Sequence, residues 1–285
     1  MSIPITSAIS SAIEKVQQQV ISAALVYKSH ERWPLPPTQS LPKIPLRISI
    51  LDSSFNPPTL AHLALANAPN PFSPAADYDA KLLLLSVRNA DKSPQEGDAT
   101  LSQRIQMMSL LAARVHHNSL SPTPNVAVGL ANEPTFVAKS SALRRFLDEH
   151  LAKLTPGPLC AVPVQLTFLM GSDTLERVLA PRYYPSEDEM HRLLGIFLSQ
   201  EGDNAQIVCS RRAVSGKDSK IESLPAANHY LESGRMAFID IDKREMMLSS
   251  SALRAQCRRG VESWSTATTA EIREYIVDNR LYHSI

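Results

Sequence analysis

The strongest constraint on the fold comes from short apolar runs that lack the polar–apolar alternation of a half-exposed strand. Leu82–Leu85 and Leu166–Met170 are apolar at nearly every position, which is typical of strands buried on both faces. Six strands are predicted, at Leu46–Leu51, Lys81–Val87, Val126–Leu130, Val164–Met170, Gln206–Ser210 and Met236–Ile241. Helices are predicted at Leu60–Ala68, Leu101–Val115, Ser141–Lys153, Glu187–Leu198, Ser250–Arg258 and Thr269–Asn279. This alternation predicts an α/β fold, a doubly wound parallel sheet of about six strands with helices on both faces.

The N-terminal segment is predicted to precede this sheet as a separate unit. Apolar residues recur at helical spacing, so Ser7–Tyr27 is predicted to form one amphipathic helix. Five prolines in the segment Trp33–Pro45 then predict an extended connector. We therefore expect residues 1–45 to form a helix and connector, and residues 46–285 to form the sheet domain.

Composition narrows the class of protein. The chain has 29 basic and 28 acidic residues, a net charge of +1, which argues against a protein that mainly coats nucleic acid. Its three cysteines, Cys160, Cys209 and Cys257, are far apart, which argues against a disulfide framework or a zinc cage. No apolar run approaches the ~20 residues that span a bilayer, and the N-terminus lacks the pattern of a secretory or mitochondrial leader. We expect a protein of the cytoplasm or nucleus that binds neither membrane nor nucleic acid.

Ligands of parallel α/β sheets bind beyond the carboxyl ends of the strands, so the turns after strands are candidate sites. The first unusual turn follows Leu51 and leads into a helix on which Thr59 and His62 lie one turn apart. Residues at this spacing share a helix face, and the free N–H groups of a helix start favour an anion. The simpler alternative is a capping threonine beside a lone surface histidine.

Two further turns carry polar groups suited to a nucleotide. Ser249–Ser251 opens a helix that continues to Arg254, and this combination offers hydroxyls, backbone N–H groups and a planar cation to a polyphosphate. Gly171 and Asp173 directly follow a strand, where a glycine admits a ligand to the backbone and a carboxylate accepts hydrogen bonds from ribose hydroxyls. The simpler alternatives are a serine cap with a solvated arginine and an aspartate that caps the next helix.

In this order and spacing, the three turns resemble the nucleotidyltransferase superfamily with the H-x-G-H motif, and more narrowly its eukaryotic and fungal nicotinamide mononucleotide adenylyltransferases. Ser54–His62 is similar to that family's G-S-F-N-P-x-T-x-x-H, and Gly171–Glu176 to its G-x-D-x-L-E. Leu248–Arg254 is similar to I-S-S-T-x-I-R, and Glu274–Tyr282 to E-Y-I-x-x-x-x-L-Y. The resemblance covers roughly residues 46–282 and implies a Rossmann-like domain.

The chain departs from the family pattern at several positions. Ser53 stands where the superfamily usually has a glycine, and Thr59 and Ala61 replace the histidine and glycine of H-x-G-H. The tryptophans that stack on nicotinamide are not matched, and Tyr184 stands where the family has one of them.

The resemblance implies an activity and a set of ligands. The phosphate of nicotinamide mononucleotide, with nicotinic acid mononucleotide as a further acceptor, attacks the α-phosphorus of ATP to form the dinucleotide (NAD) and pyrophosphate. His62 and Arg254 are the expected catalytic residues, and Mg²⁺ is expected to bind through the substrate phosphates, without protein ligands of its own. The residues expected to bind ATP are Ser54, Phe55, Thr59, His62, Lys92, Gly171, Asp173, Arg211, Ser249, Ser250 and Arg254. The residues expected to bind the acceptor are Asn56, Tyr183 and Tyr184.

Two other functions stay open on the sequence. One is nucleotidyl transfer to a different phosphorylated acceptor, such as phosphopantetheine or a phosphorylated alcohol. The other is a nucleotide-binding regulatory or chaperone-associated protein with little transferase activity. The sequence also leaves open whether the chain forms a homo-oligomer and which of the two pyridine mononucleotides it prefers.

Overall fold

The computed structural model describes residues 6–38, 45–75, 77–87, 96–115, 124–155, 162–211 and 225–282. Its centre is a seven-stranded sheet in the order β1-β4-β3-β2-β5-β6-β7, in which β1 is antiparallel to β4 and all other neighbours are parallel. The strands are β1 Ala23–Lys28, β2 Leu46–Asp52, β3 Ala80–Ser86, β4 Val126–Ala131, β5 Val164–Gly171, β6 Ala205–Ser210 and β7 Met236–Ile239. The α/β class and the six predicted strands are confirmed.

The described helices include every one predicted between and after the strands. They are α1 Ser7–Gln17, α2 Leu60–Ala66, α3 Leu101–Ala112, α4 Phe136–Leu154, α5 Ser172–Val178, α6 Glu187–Leu198, α7 Pro225–Glu232, α8 Lys243–Met246, α9 Ser250–Arg258 and α10 Ala270–Asp278. Short 3-10 turns lie at Pro181–Tyr183 and Glu262–Ala267. In the described part of the chain, none of these helices has the length and apolar character needed to cross a bilayer.

Apolar packing on both sides of the sheet explains the unbroken leucine run. Leu83 and Leu85 contribute to a core with α1, α2, α3, α9 and α10, while Leu82 and Leu84 contribute to a second core with α4, α5, α6 and α7. All four leucines are at most 2% exposed. Successive strand residues point to opposite faces, so a strand covered on both sides needs an apolar residue at every position.

The N-terminal segment differs from its prediction. The helix ends at Gln17, and Gln19 adopts the left-handed conformation, with φ of 61°, so the prediction of a helix reaching Tyr27 is wrong beyond Gln17. Residues 23–28 instead form β1, because the edge of β4 offers them backbone hydrogen-bond partners. The spacing of apolar residues along the chain gives no indication of this pairing. This strand makes the sheet seven-stranded.

The proline-rich segment is packed against the protein over its described part. Trp33 and Leu35 are 0% and 1% exposed, and the Asn125 side-chain amide donates to the carbonyl of Pro34 at 2.8 Å. Residues 6–38 therefore share the sheet and core of the rest of the described chain, and they do not form a separate unit.

The connections place a crevice at one edge of the sheet. From β2 the chain winds outward to β3 and β4, and from β5 it winds the other way to β6 and β7. The carboxyl ends of the neighbouring strands β2 and β5 therefore flank the point where the winding direction reverses, which is where such sheets bind ligands.

Candidate active site

A cavity of about 380 Å³ lies at this reversal point, a volume within the range of small-molecule sites. Its wall includes residues from all three turns that the sequence singles out. The predicted residues that line it are Ser54, His62, Gly171, Asp173, Tyr183, Tyr184, Ser249, Ser250 and Arg254. Residues separated by up to 200 positions in sequence thus face one space, while their roles as ligands stay predictions.

The hydrogen bonds of His62 define its tautomer. Its Nδ1 accepts from the backbone N–H of Thr59 at 3.0 Å, because His62 occupies the third position of α2 and reaches back to the helix cap. A nitrogen that accepts from a peptide N–H carries no proton, so the neutral ring carries its proton on Nε2. Nε2 lies 2.9 Å from Ser53 Oγ and donates to it.

The surroundings of His62 keep the ring uncharged. Burial of the ring lowers the pKa of His62 to about 4, since a desolvated imidazolium is disfavoured. The phenyl ring of Phe55, with its centroid 5.0 Å from that of His62, covers one side. At neutral pH the ring therefore acts as a hydrogen-bond donor without a positive charge.

Ser53 adds a hydroxyl beside His62 on the cavity wall, at the position where the resembling family has a glycine. Ser53 lines the cavity, and its Oγ accepts from His62 Nε2. A hydroxyl that accepts one hydrogen bond still has its own proton to donate. The Ser53 hydroxyl, polarised by the hydrogen bond from His62, can therefore donate its own proton to a group bound in the cavity.

Arg254 is fixed before any ligand binds. Its Nη1 donates to the carbonyl of Asn56 at 2.5 Å, and its Nε lies 3.3 Å from Asp98 Oδ1, with the side chain 15% exposed. These two contacts hold the plane of the guanidinium, which has five N–H donors in total. Because Arg254 also lines the cavity, its remaining donors are oriented for an anion at low entropic cost.

Ser249 and Ser250, at the start of α9, make different hydrogen bonds. Ser249 caps the helix, since its Oγ accepts from the backbone N–H of Ala252 at 3.1 Å. The hydroxyl of Ser250 donates to the carbonyl of Pro57 at 2.7 Å. Ser250 therefore ties α9 to the turn after β2, and Ser249 keeps its hydroxyl proton available to the cavity.

Gly171 ends β5 in a conformation open to any residue, with φ of −88°. A Cβ built there would meet its nearest described neighbour, Ser210 Oγ, at 3.9 Å. Neither backbone strain nor packing of the described residues therefore demands a glycine. The absence of a side chain at Gly171 instead leaves space for a ligand to approach the backbone closely. Asp173, two residues further on, also lines the cavity.

The two predicted acceptor tyrosines reach the cavity from the 3-10 turn after α5. The hydroxyl of Tyr184 donates to the carbonyl of Val178 at 2.7 Å, and burial raises the pKa of Tyr184 to about 12. Tyr183 is half-buried, with the guanidinium of Arg182 5.0 Å from its ring centroid. Tyr184 is thus held as a neutral, oriented phenol whose ring contributes to the wall.

Three predicted residues of the first turn lie behind the cavity wall and do not line it. Phe55 is fully buried with φ of 43°, and Thr59 is fully buried beneath His62. The Oδ1 atom of Asn56 accepts from the hydroxyl of Tyr282 at 2.8 Å and from the backbone N–H of Ala99 at 3.3 Å. These side chains hold the turn in shape, and the structure does not bring them to a ligand.

Arg211, a predicted phosphate-binding residue, is not brought into the site. Arg211 does not line the cavity, because its guanidinium lies 5.2 Å from the ring centroid of Phe238 and 3.5 Å from Asp240 Oδ2. Lys92 lies outside the described residues.

The sequence prediction missed several residues of the cavity wall, which come from the ends of β2 and β3, the start of α4 and helix α5. The missed lining residues include Asp52, Ser53, Ser86, Thr135, Phe136, Lys139 and Arg177. Helix α4 begins at Phe136, five residues before its predicted start, with Thr135 as its cap accepting from the N–H of Ala138 at 3.3 Å. A threonine directly before the apolar residues Phe136 and Val137 is a helix-start pattern that would have indicated this segment.

Comparison with known proteins shows a similarity in sequence to a fungal protein. No protein-family model matches the chain. A protein of Schizosaccharomyces pombe, provisionally named nicotinamide mononucleotide adenylyltransferase, is 33% identical over 169 residues, which are 59% of this chain and 55% of that protein. The chain thus matches about half the length of this relative.

Solved structures of Plasmodium falciparum nicotinic acid mononucleotide adenylyltransferase, complexed with NaAD and with APC, are also similar. Each has a TM-score of 0.48 and 16% identity and covers 83% of this chain, and the chain covers 97% and 96% of them. These values are too low to carry substrate or mechanism across. The resemblance of this chain to the nicotinamide mononucleotide adenylyltransferases, first indicated by its three turns, is confirmed by its similarity to the S. pombe sequence.

Proposed function

We propose that the chain transfers the adenylyl group of ATP to nicotinamide mononucleotide, with formation of NAD and pyrophosphate. The observation that carries the proposal is the meeting of three distant turns at one cavity, which brings together His62, Arg254 and Asp173. Each turn taken alone has a simpler reading as a helix cap or a solvated charge. Those simpler interpretations do not explain why all three turns meet at the point where such sheets bind ligands.

The reaction requires alignment and charge stabilisation more than a protein nucleophile. A phosphate oxygen of the acceptor forms a bond to the α-phosphorus of ATP while the bond from that phosphorus to the bridging oxygen of pyrophosphate breaks. In the proposed site, the Ser53 hydroxyl, polarised by His62, donates to the α-phosphate as negative charge develops. Arg254 and Ser249 hold the departing pyrophosphate.

The adenosine end is assigned to Gly171 and Asp173, where the backbone leaves room and a carboxylate that can accept from ribose hydroxyls lines the cavity. ATP is expected to enter as its Mg²⁺ complex. The described residues contain no group of three histidine, cysteine or acidic side chains suited to a metal ion. Mg²⁺ commonly stays bound to substrate phosphates and water, so it would neutralise phosphate charge as part of the substrate.

The pyridine acceptor is supported by Tyr184 and Tyr183, which place aromatic rings on the cavity wall. A cationic nicotinamide ring gains about 0.5–2 kcal/mol from such a face. The name of the S. pombe relative supports the same acceptor. Phosphopantetheine offers no aromatic ring for these tyrosines, so it is the weaker candidate.

One assay distinguishes the proposed activity from its rivals. The full chain is incubated with ATP, Mg²⁺ and, separately, nicotinamide mononucleotide, nicotinic acid mononucleotide or phosphopantetheine, and both pyrophosphate and the dinucleotide are quantified. We expect NAD and pyrophosphate in equal amounts, and a loss of about 10²-fold or more in rate for His62→Ala. Pyrophosphate with another acceptor alone would establish the first rival. ATP binding without pyrophosphate would establish the second.

A further inference from the structure

A buried ion pair lies on the cavity wall outside the set of residues assigned above. Lys139 Nζ, in the first turn of α4, lies 2.5 Å from Asp52 Oδ2, at the end of β2. The side chains are 5% and 7% exposed, and both line the cavity. Desolvation of two charges costs free energy even when they are paired. An ion pair at this buried position is therefore poorly explained by a contribution to packing alone.

The hydrogen bonds of the pair are incomplete. A lysine ammonium has three donors, and within the described ranges Asp52 is the one hydrogen-bond acceptor that contacts Lys139. The ring centroid of Phe136 lies 4.8 Å from Nζ and adds a cation–π contact. The carboxylate of Asp52 accepts from Lys139 and, through Oδ1, from Ser86 Oγ at 2.9 Å. With about four lone-pair sites, it keeps capacity to accept more.

Lys81 shows what a structural lysine looks like in this protein. Its side chain is 3% exposed, pairs with Asp77 at 3.7 Å and donates to the backbone carbonyl of Ala66 at 3.2 Å. It is not among the residues that line the cavity. The buried ammonium of Lys81 thus has at least two protein acceptors, Asp77 and the carbonyl of Ala66. That of Lys139 lines the cavity with Asp52 as its acceptor among the described residues.

We propose that Lys139 and Asp52 together bind the carboxamide of the acceptor and make the site select nicotinamide mononucleotide over nicotinic acid mononucleotide. This inference rests on the proposed function and deepens it. A carboxamide has an oxygen that accepts from Lys139 and an NH₂ group that donates to Asp52, so it complements the pair on both sides. A carboxylate has no donor, faces the like charge of Asp52 and loses more hydration on entry.

The test is calorimetric titration of the full-length protein with each mononucleotide. We expect the unmodified protein to bind nicotinamide mononucleotide at least about tenfold more tightly than nicotinic acid mononucleotide. Asp52→Asn keeps the shape of the side chain, removes the repulsion and leaves the charge of Lys139 uncompensated. In this variant the ratio of the two dissociation constants should shift by about tenfold or more toward the acid.

Arg47→Met provides a matched control. It breaks another buried pair, Arg47–Asp79, whose side chains are 13% and 12% exposed, at the opposite end of β2 and outside the cavity lining. It should lower stability and leave the ratio unchanged.

Each outcome decides for or against the proposal. Equal affinities in the unmodified protein, or a preference for the acid, overturn it even if no variant folds. An unchanged ratio in folded Asp52→Asn also overturns it and makes the pair a structural link between α4 and β2. Binding of nicotinamide mononucleotide without selectivity removes this inference alone, while binding of neither mononucleotide removes the proposed function together with it.

Discussion

At the scale of single residues, the site differs from its motif most clearly at Ser53. A glycine at that position would leave His62 Nε2 to meet a ligand directly, whereas here Nε2 donates to a hydroxyl 2.9 Å away. The backbone N–H of Thr59 donates a hydrogen bond to the other ring nitrogen, Nδ1. These two hydrogen bonds restrict the histidine to the neutral tautomer that carries its proton on Nε2.

This restriction predicts a pH dependence of stability. Burial lowers the folded-state pKa of His62 to about 4, against 6.5 for the ordinary value, so protonation favours the unfolded chain. The contribution of the neutral ring should be complete above pH ~6.5 and should be lost progressively toward pH ~4, by roughly 2–3 kcal/mol in total. Chemical denaturation across this pH range measures it.

His62→Gln is the comparison, because glutamine does not titrate and the other histidines stay in both proteins. The variant should lose less stability than the unmodified chain between pH 6.5 and 4. Parallel curves for the two proteins would show that His62 titrates normally in the folded state.

Gly171 provides a second test at this scale. Since a Cβ there meets its nearest described atom at 3.9 Å, Gly171→Ala should fold with unchanged or slightly higher stability. It should weaken ATP binding by about tenfold, because the methyl group occupies space assigned to the nucleotide. Thermal unfolding and calorimetric titration with ATP measure the two effects.

Gly195→Ala is the matched control, since Gly195 lies within α6 and does not line the cavity, and a Cβ added there meets no described atom within 4 Å outside the backbone of its own helix. It should leave ATP affinity unchanged. Equal ATP affinities of the Gly171 and Gly195 variants would place the nucleotide elsewhere.

At the scale of elements, the C-terminal tail supports the first turn. The hydroxyl of Tyr282 donates to Asn56 Oδ1 at 2.8 Å, and both residues are buried. The carbonyl of Asn56 in turn accepts from Arg254 in α9. Tail, turn and helix therefore form a continuous hydrogen-bonded link that ends at the cavity.

Tyr282→Phe tests this link. It removes one hydrogen bond from a buried amide oxygen and should cost about 1–2 kcal/mol of folding free energy. The KM for ATP should rise because Arg254 loses part of its support. Steady-state kinetics with ATP as the varied substrate, together with chemical denaturation, measure both quantities.

Tyr275→Phe serves as the control from the preceding helix, α10. The hydroxyl of Tyr275 donates to Gln106 in α3, away from the cavity. Its loss should lower stability without changing the KM for ATP. A similar rise of KM in both variants would indicate general loosening of the fold and would exclude a specific link.

At the scale of the whole molecule, the N-terminal segment is part of the sheet domain. Strand β1 pairs with β4 over its length, and the side-chain amide of Asn132 donates to the carbonyl of Val16 at 2.8 Å. Trp33 is among the largest fully buried side chains. Removal of this segment would expose the edge of β4 and open the core beneath it.

Truncation of residues 1–38 should therefore yield a protein that aggregates or unfolds at low temperature. Trp33→Ala is the milder variant and should cost about 3–5 kcal/mol. Because Trp33 does not line the cavity, the folded fraction of this variant should keep its affinity for ATP. Circular dichroism melting shows the outcome, and a truncated chain that melts like the intact protein would mean that β1 contributes little.

The sequence by itself determined the strands buried on both faces and the three turns that follow strands. These patterns are local: burial on both sides of a sheet imposes an apolar residue at each position of Leu82–Leu85, and a helix start imposes Ser249 as its cap. Six strands and the convergence of Gly171, His62 and Arg254 could be predicted for that reason.

Only the tertiary structure decided the remainder. Residues 23–28 form a strand because the edge of β4 is available to them, and Asn56 faces Tyr282 because the tail folds back over the first turn. Likewise, Lys139 belongs to the cavity because α4 packs beside the end of β2, 87 positions away from it in sequence. Contacts of this kind depend on which elements become neighbours, and neither spacing nor composition along the chain carries that information.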